Sequence, residues 1–484
     1  MIYLFALLPI LLLVAVSLTK GVKPAVLVSS VVTSALFFYW GAGGGHYLGA
    51  VVVSLLTTFN ILLTVLGAVF LYTVMQHTGL IEQLTHSLDK LHPSKELRFF
   101  LLAIGLTAFF EGVAGFGTPG AIVPLILIAL GFEAVLSVSV VLLFDGLFAL
   151  FGAVGTPILI GLQAPLGLAA ADVNTIGLTA ALLMSGVGLL VLALVFRLVG
   201  QEQGPLANRR LVLLLYAFLM LPFCGLAWLA PELATVFGAL CMLGLSVLYF
   251  KPRGVKLDLR PWLPYAVLAV LLLLPKLLPP LRQFLDWELA FENLFGSGIR
   301  GGIKPLQSPF LPFVAVGLGV ALVCKLPSLP LREPLGKMGN VFVVLFPSVL
   351  IAQLMIYSGG TQPSMVRYIA ELLSHLGQLY PVFAPLIGIM GTFITGSTTI
   401  SNLVFGASQQ QAAVSLGISS NVVLALQLVG ASLGNAVCLF NIIAAASVAN
   451  IKNYKAVLAH NLMPTLLAAL LAGLLGTGLL AVLQ

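Results

Sequence analysis

Apolar residues run through this chain in long unbroken stretches, with the polar residues gathered into short groups between them. Twelve stretches are long enough to cross a bilayer, since roughly 20 apolar residues span the hydrocarbon core. They cover residues 2–18, 23–40, 49–75, 133–165, 175–197, 211–229, 233–250, 262–277, 309–324, 339–357, 420–448 and 457–483. The pattern predicts an all-α polytopic membrane protein of about 12 transmembrane helices. Two further stretches, 99–131 and 380–412, are apolar at both ends and broken at the middle by glycine, proline and hydroxyl residues. Each arm of about 15 residues makes about 22 Å of helix, short of a hydrocarbon core of about 30 Å. Both stretches are therefore predicted as re-entrant hairpins. Backbone that leaves the helix at membrane depth finds no partner in hydrocarbon, so such breaks line a wet cavity or sit inside protein.

The charged residues sharpen this picture. With the N-terminus placed outside, Lys276, Arg282, Arg300, Lys304 and Arg367 are the outward-facing basic residues, and the other 17 of the 22 Lys and Arg fall in inward connectors. Positive residues favour the inner side, which supports that orientation and puts both termini outside. An internal repeat also emerges: TAFFEGVAGFGTPGA (107–121) aligns with GTFITGSTTISNLVF (391–405), with Phe109 on Phe393, Glu111 on Thr395 and Gly112 on Gly396. A long helix interrupted by small residues follows each hairpin, GAVGTP at 152–157 and GASLGN at 430–435. The first hairpin starts inside and the second outside, which predicts an inverted repeat with discontinuous helices, a common frame for secondary transporters. Four regions result: N-terminal helices (1–48), a first repeat (49–198), additional or scaffold helices with an external loop (199–338), and a second repeat (339–484). The third region suits scaffold or dimer contacts, so a homodimer is an open expectation.

Composition narrows the function classes. Hydrophobic residues make up 60% and charged residues 8% of the 484, far from the quarter charged that is usual in soluble chains. A net charge of +7 could signal nucleic acid, but the basic residues orient helices instead, so no nucleic-acid partner is expected. Cys224, Cys241, Cys324 and Cys438 lie inside apolar runs without metal-ligand spacing, and the six histidines lie in loops or at helix ends. No metal and no cofactor are expected. The first apolar run lacks a basic start and a cleavage site, and is read as a retained helix. GFGTPG at 115–120 lacks the dinucleotide spacing and no strand precedes it. No nucleophile–base pair is present, so no catalytic residue is assigned and the chain is not read as an enzyme.

What remains are the breaks. Gly115, Phe116, Gly117 and Thr118 form one, Gly155 and Thr156 a second, Ser397, Thr398, Thr399, Ser401 and Asn402 a third, and Ser432 and Asn435 a fourth. Each would expose backbone N–H groups at a half-helix N-terminus, with hydroxyls and amides beside them, and together they could hold a small carboxylate without an arginine. Glycine and serine at such places can equally serve close helix packing. Gln353, Tyr357 and Gln427 are candidate cavity liners. Glu111, beside the first break, and Asp145, in VVLLFDGLFALFG, are the acids at membrane depth. Neither has an evident basic partner, and a carboxyl there holds its proton until it is exposed, as a proton carrier must.

The segments FFEGVAGFGTPGA, GAVGTPILIGL and FITGSTTISNLVFGASQQQAA resemble the lactate permease family of bacterial L-lactate and glycolate transporters. The resemblance spans roughly residues 50–170 and 340–480. It implies uptake of a small 2-hydroxy monocarboxylate with protons across the bacterial inner membrane. Two positions depart from the family pattern: Asp145 stands where an asparagine is expected, and Gly434–Asn435 where many members carry Gly-Lys. Both departures shift the site towards negative charge. The leading expectation is proton-coupled symport of L-lactate or glycolate, with the bilayer, protons and a small carboxylate as partners. Sodium-coupled uptake of another organic anion is the alternative, with carbonyl and hydroxyl oxygens at the breaks holding the cation.

Overall fold

The computed structural model describes residues 2–83, 92, 94–115, 117–250, 260–303, 305–360 and 362–483. Phe116, a predicted tip residue, lies outside them. Among the described residues, nine helices are long and apolar enough to cross a membrane by length and composition. Three of the twelve expected crossings appear instead as shorter apolar helices, Ile2–Ser17, Arg260–Leu272 and Phe310–Val323. One of the nine is an arm expected to be short, at Gly377–Thr395, and the remaining expected crossing, 49–75, lies within the 34-residue helix Gly44–His77. The chain is a multi-pass membrane protein of almost wholly helical build.

Side-chain caps set several helix starts. Ser94 accepts from Leu97 N, Glu133 Oε2 accepts from Leu136 N at 2.6 Å, and Ser397 Oγ accepts from Ile400 N at 3.3 Å. Each satisfies an amide that the first helical turn leaves without a partner.

Two helix groups organise the molecule. In the first, Ile2–Lys20 and Val22–Tyr39 form an antiparallel pair, and the long helix Gly44–His77 packs between Phe310–Val323 and Arg332–Tyr357. The loop before Phe310 is folded: strands Leu289–Phe291 and Gly301–Ile303 pair antiparallel and rest on the start of helix Gly44–His77. The second group holds the hairpins and the broken helices. Ala170–Gln203 and Tyr454–Leu483 support it from one side, Arg209–Ala227 and Ala234–Phe250 from another. The last two belong to the region expected to be additional scaffold. They form the wall behind the first hairpin, where Phe109 also meets the Tyr265 ring edge-on at 4.5 Å between centroids.

The order of hairpin then broken helix occurs twice. The first hairpin enters through Lys95–Phe100, a π-helical stretch Leu101–Leu106 and Thr107–Val113, and leaves through Thr118–Ala129. The second enters through Tyr380–Thr395 and leaves through Thr398–Leu416. The first broken helix is Ala134–Phe148, a 3-10 turn Ala149–Phe151, then Gly152–Ile158; the second is Ser420–Leu433, a 3-10 turn Gly434–Ala436, then Leu439–Val448.

Candidate functional site

Each break has its own cause. In the first hairpin, Gly115 and Gly117 take φ of 57° and 78°, a region L side chains avoid, so the chain turns there. Gly112 is still helical: a Cβ built on it would stand 2.8 Å from the Val236 nitrogen, so it serves close packing. In the second hairpin Gly396, at φ 74°, and Ser397 make a shorter turn. The first broken helix carries the most strain. Ala153, Val154 and Gly155 all hold positive φ, which is expensive for a β-branched valine and persists only where the surroundings dictate it.

The two broken helices cross near these points. Ser432 Oγ donates to the Gly146 carbonyl at 2.8 Å, and the second hairpin joins them through Thr392 Oγ1, 2.7 Å from the Ala431 carbonyl. Close crossing needs small residues: a Cβ on Gly388 would lie 2.5 Å from the Ala431 nitrogen, and one on Gly434 2.7 Å from Thr392 Cβ.

All four breaks open onto one small cavity. Gly117 comes to it from the first tip and Ser397, Thr398 and Thr399 from the second. The first broken helix contributes Thr156 and Gly152, and the second contributes Asn435 and Asn441. Thr118–Ala129 and Thr398–Leu416 start at these tips, which brings both positive dipole ends to the same space; in the first helix the Thr118 amide donates to the Gly115 carbonyl and Pro119 has no N–H. Among the described lining residues there is no lysine or arginine.

Glu111 is the one acid in that lining. Only 5% exposed, its carboxyl rests against the Gly152 Cα, where any Cβ would collide with Oε1. Behind it lies Asp145, 2% exposed, close enough for the two carboxyls to act on each other, with its Oδ1 left without a hydrogen-bond partner. Two neighbouring carboxyls buried at low dielectric repel each other when both are ionised, which favours keeping a proton on the pair.

Other sequence candidates lie off this cavity. Gly115 packs on Ala153, with 2.8 Å between a built Cβ and the alanine Cβ, and Gly155 packs on Glu232. Thr118 begins the first tip's outgoing helix without itself lining the space. Ser401, Asn402 and Gln427 bond to one another or to neighbouring backbone. Gln353 and Tyr357 sit on Arg332–Tyr357 in the other helix group. Asn441, missed from the sequence, donates through Nδ2 to Asn435 Oδ1 at 3.3 Å. Its signal was an amide inside the apolar run CLFNIIAAA. Gly152 stood in view within GAVGTP, but nothing local said that a carboxyl would need its missing side chain.

An apolar helix bundle that encloses a polar cavity between paired helix breaks is the build of a membrane transporter. A sequence profile described as L-lactate permease matches residues 3–260 and 325–483, and the chain belongs to that family. It is thus a permease and not an enzyme. It is 26% identical to the putative L-lactate permease of Haemophilus influenzae over 85% of each chain. Against the L-lactate permease of Streptococcus iniae it is 28% identical, over 74% of this chain and 79% of the relative. The glycolate permease GlcA of Escherichia coli K12 is 23% identical, over 76% and 75%.

Proposed function

We propose that the chain is a proton-coupled symporter of a small 2-hydroxy monocarboxylate, L-lactate or glycolate, in the bacterial inner membrane. The observation that carries this is Glu111 in the same cavity as two hairpin-tip helix N-termini. The N-termini favour the cargo carboxylate, while the hydroxyls of Ser397, Thr398 and Thr399 and the amides of Asn435 and Asn441 suit its hydroxyl. Glu111 makes cargo and proton bind together. An ionised Glu111 would repel a carboxylate ~5 Å away by about 3 kcal/mol at an effective dielectric of ~20. Protonation removes that repulsion, so the anion binds when the proton does. Asp145, buried beside it, adds a second carboxyl whose ionised form would disfavour the ionised Glu111.

The two hairpins and broken helices form inverted repeats around this site, with both termini outside. Proteoliposomes with an imposed inward proton gradient and sodium-free buffer should accumulate L-lactate or glycolate. Accumulation that needs sodium and ignores the proton gradient would replace this reading with the sodium-coupled one. For the orientation, Ser364→Cys should react with an impermeant thiol reagent from outside, and Ser94→Cys only after the membrane is opened. The reverse pattern overturns the sidedness.

A further inference from the structure

The second hairpin carries a chain of buried side chains that the cavity does not use. It begins at Tyr380, the first residue of the entering arm, whose hydroxyl donates to Gln409 Oε1 on the leaving arm. Gln409 Nε2 donates to Gln427 Oε1 at 2.8 Å and to the Ala384 carbonyl at 3.0 Å. Gln427 Nε2 lies 3.2 Å from both Ser401 Oγ and Asn402 Oδ1. Asn402 Nδ2 ends the chain on the Pro157 carbonyl, 3.1 Å away in the first broken helix. All five side chains are buried. Each amide accepts on its oxygen and donates from its nitrogen, so the chain has one polarity, from Tyr380 to Pro157, and no amide can flip alone.

The end point has a structural reason. Pro157 stands just before the π-helical turn Leu159–Gln163, which shifts the helical ladder by one residue and takes carbonyls out of the regular pattern. The contact is also closed sterically, because a Cβ built on Gly161 would stand 2.8 Å from Asn402 Cβ. Thr399 Oγ1 adds a bond to Thr156 Oγ1 at 3.4 Å, at the cavity edge of the same seam. The seam therefore joins a tip of one repeat to the break of the other.

We propose that Tyr380, Gln409, Gln427, Ser401 and Asn402 form a clasp that fixes the second hairpin tip to the first broken helix and to Ser420–Leu433, so that these parts of the cavity move as one body. Gln427, Ser401 and Asn402 act in it as positioning residues and do not touch the cargo. Removing Gln427 takes away the donor that Asn402 Oδ1 accepts from and breaks the link to Gln409, and a buried acceptor left without its donor favours admitting water and loosening the tip.

The test reads the tip directly. Ser397→Cys is introduced into the full chain in nanodiscs without cargo, and its reaction with a small thiol reagent is followed by mass spectrometry of the peptide containing position 397. Adding Gln427→Leu should speed labelling about tenfold, and Tyr380→Phe, which removes only the first donor, about twofold. The Gln409→Leu/Gln427→Leu pair should be no faster than the faster single change, because one chain breaks only once. Unchanged labelling in every variant, or rates that multiply in the pair, overturns the clasp. Should Gln427→Leu fail to fold, the milder Tyr380→Phe carries the labelling test. A second arm rests on the transport reading: Gln427→Leu should raise the half-saturation concentrations of L-lactate and glycolate by the same factor. A changed ratio between them means Gln427 touches cargo, which also overturns the clasp. If the parent protein carries neither acid, the transport reading fails while the labelling arm stands.

Discussion

The two hairpins reach one cavity by different means. The first is held by shape: Gly112 lies against Val236 and Thr235, Gly115 against Ala153, and neither leaves room for a Cβ. Its polar content at the cavity is one carboxyl, Glu111, with Asp145 behind it. The second packs as closely, with Gly388 against Ala431 and Gly391 against Ser401, and adds hydrogen bonds from Thr392 and Thr398 to the Ala431 carbonyl and from Ser401 to that of Gly388. Among the described residues the first tip brings no hydroxyl or amide to the cavity beside that carboxyl. Hydroxyls and amides adapt their donors and acceptors, which suits the recognition of a cargo. The proposed symport divides along the same line, with coupling at the first tip and recognition at the second.

The strongest way to break that division is Glu111→Gln, which mimics the protonated acid. Accumulation driven by a proton gradient should fall about 100-fold, matching about 3 kcal/mol of lost linkage, while exchange between loaded sides persists. Asp145→Asn keeps a polar side chain beside Glu111 and should cost about tenfold or less. Counterflow and uphill uptake, measured side by side, separate the two effects. If Glu111→Gln still accumulates cargo uphill, the coupling acid lies elsewhere and Asp145 is the next candidate.

Next comes the first tip itself. Gly117 has φ 78° and open space around a built Cβ, so Gly117→Val combines backbone strain of about 1–2 kcal/mol with bulk in the cavity. Cargo affinity should drop about tenfold or more. Gly117→Asn, which tolerates the left-handed region, should retain expression and separate strain from bulk. Unaltered affinity in Gly117→Val would remove the first tip from the cargo site.

The smallest effects compare how the hairpins are held. Gly112→Val overpacks the contact with Val236 and should destabilise by about 1–3 kcal/mol. Thr392→Val, which loses one hydrogen bond to a carbonyl, should cost about 1 kcal/mol. Thermal melting of the purified variants checks the order, and the reverse order would mean that both hairpins are held alike.

Much of the fold was legible in the chain because hydrocarbon makes length and polarity local signals. A run either spans or it does not, and a glycine-rich interruption at depth has to be sheltered. So the sequence by itself determined the apolar helices, both hairpins, both helix breaks and the presence of acids beside them. It did not determine the register of the two tips: aligned by residue identity, Gly112 matches Gly396, yet Gly112 is helical and the first turn falls at Gly115 and Gly117.

Only the tertiary structure decided which polar groups meet. A buried amide or carboxyl must find a partner, but which one depends on how neighbouring helices are rotated and how closely they cross. Gln427 and Asn402 read equally well as cavity liners, yet their helices turn them into a hydrogen-bonded seam. Asn441 looked like an isolated amide in an apolar run, and the second break brings it to Asn435 at the cavity. Glu111 and Asp145 stand on separate helices with no local sign of each other. They become neighbours where the first hairpin meets the first broken helix, and there Gly152 has no side chain to keep the Glu111 carboxyl away.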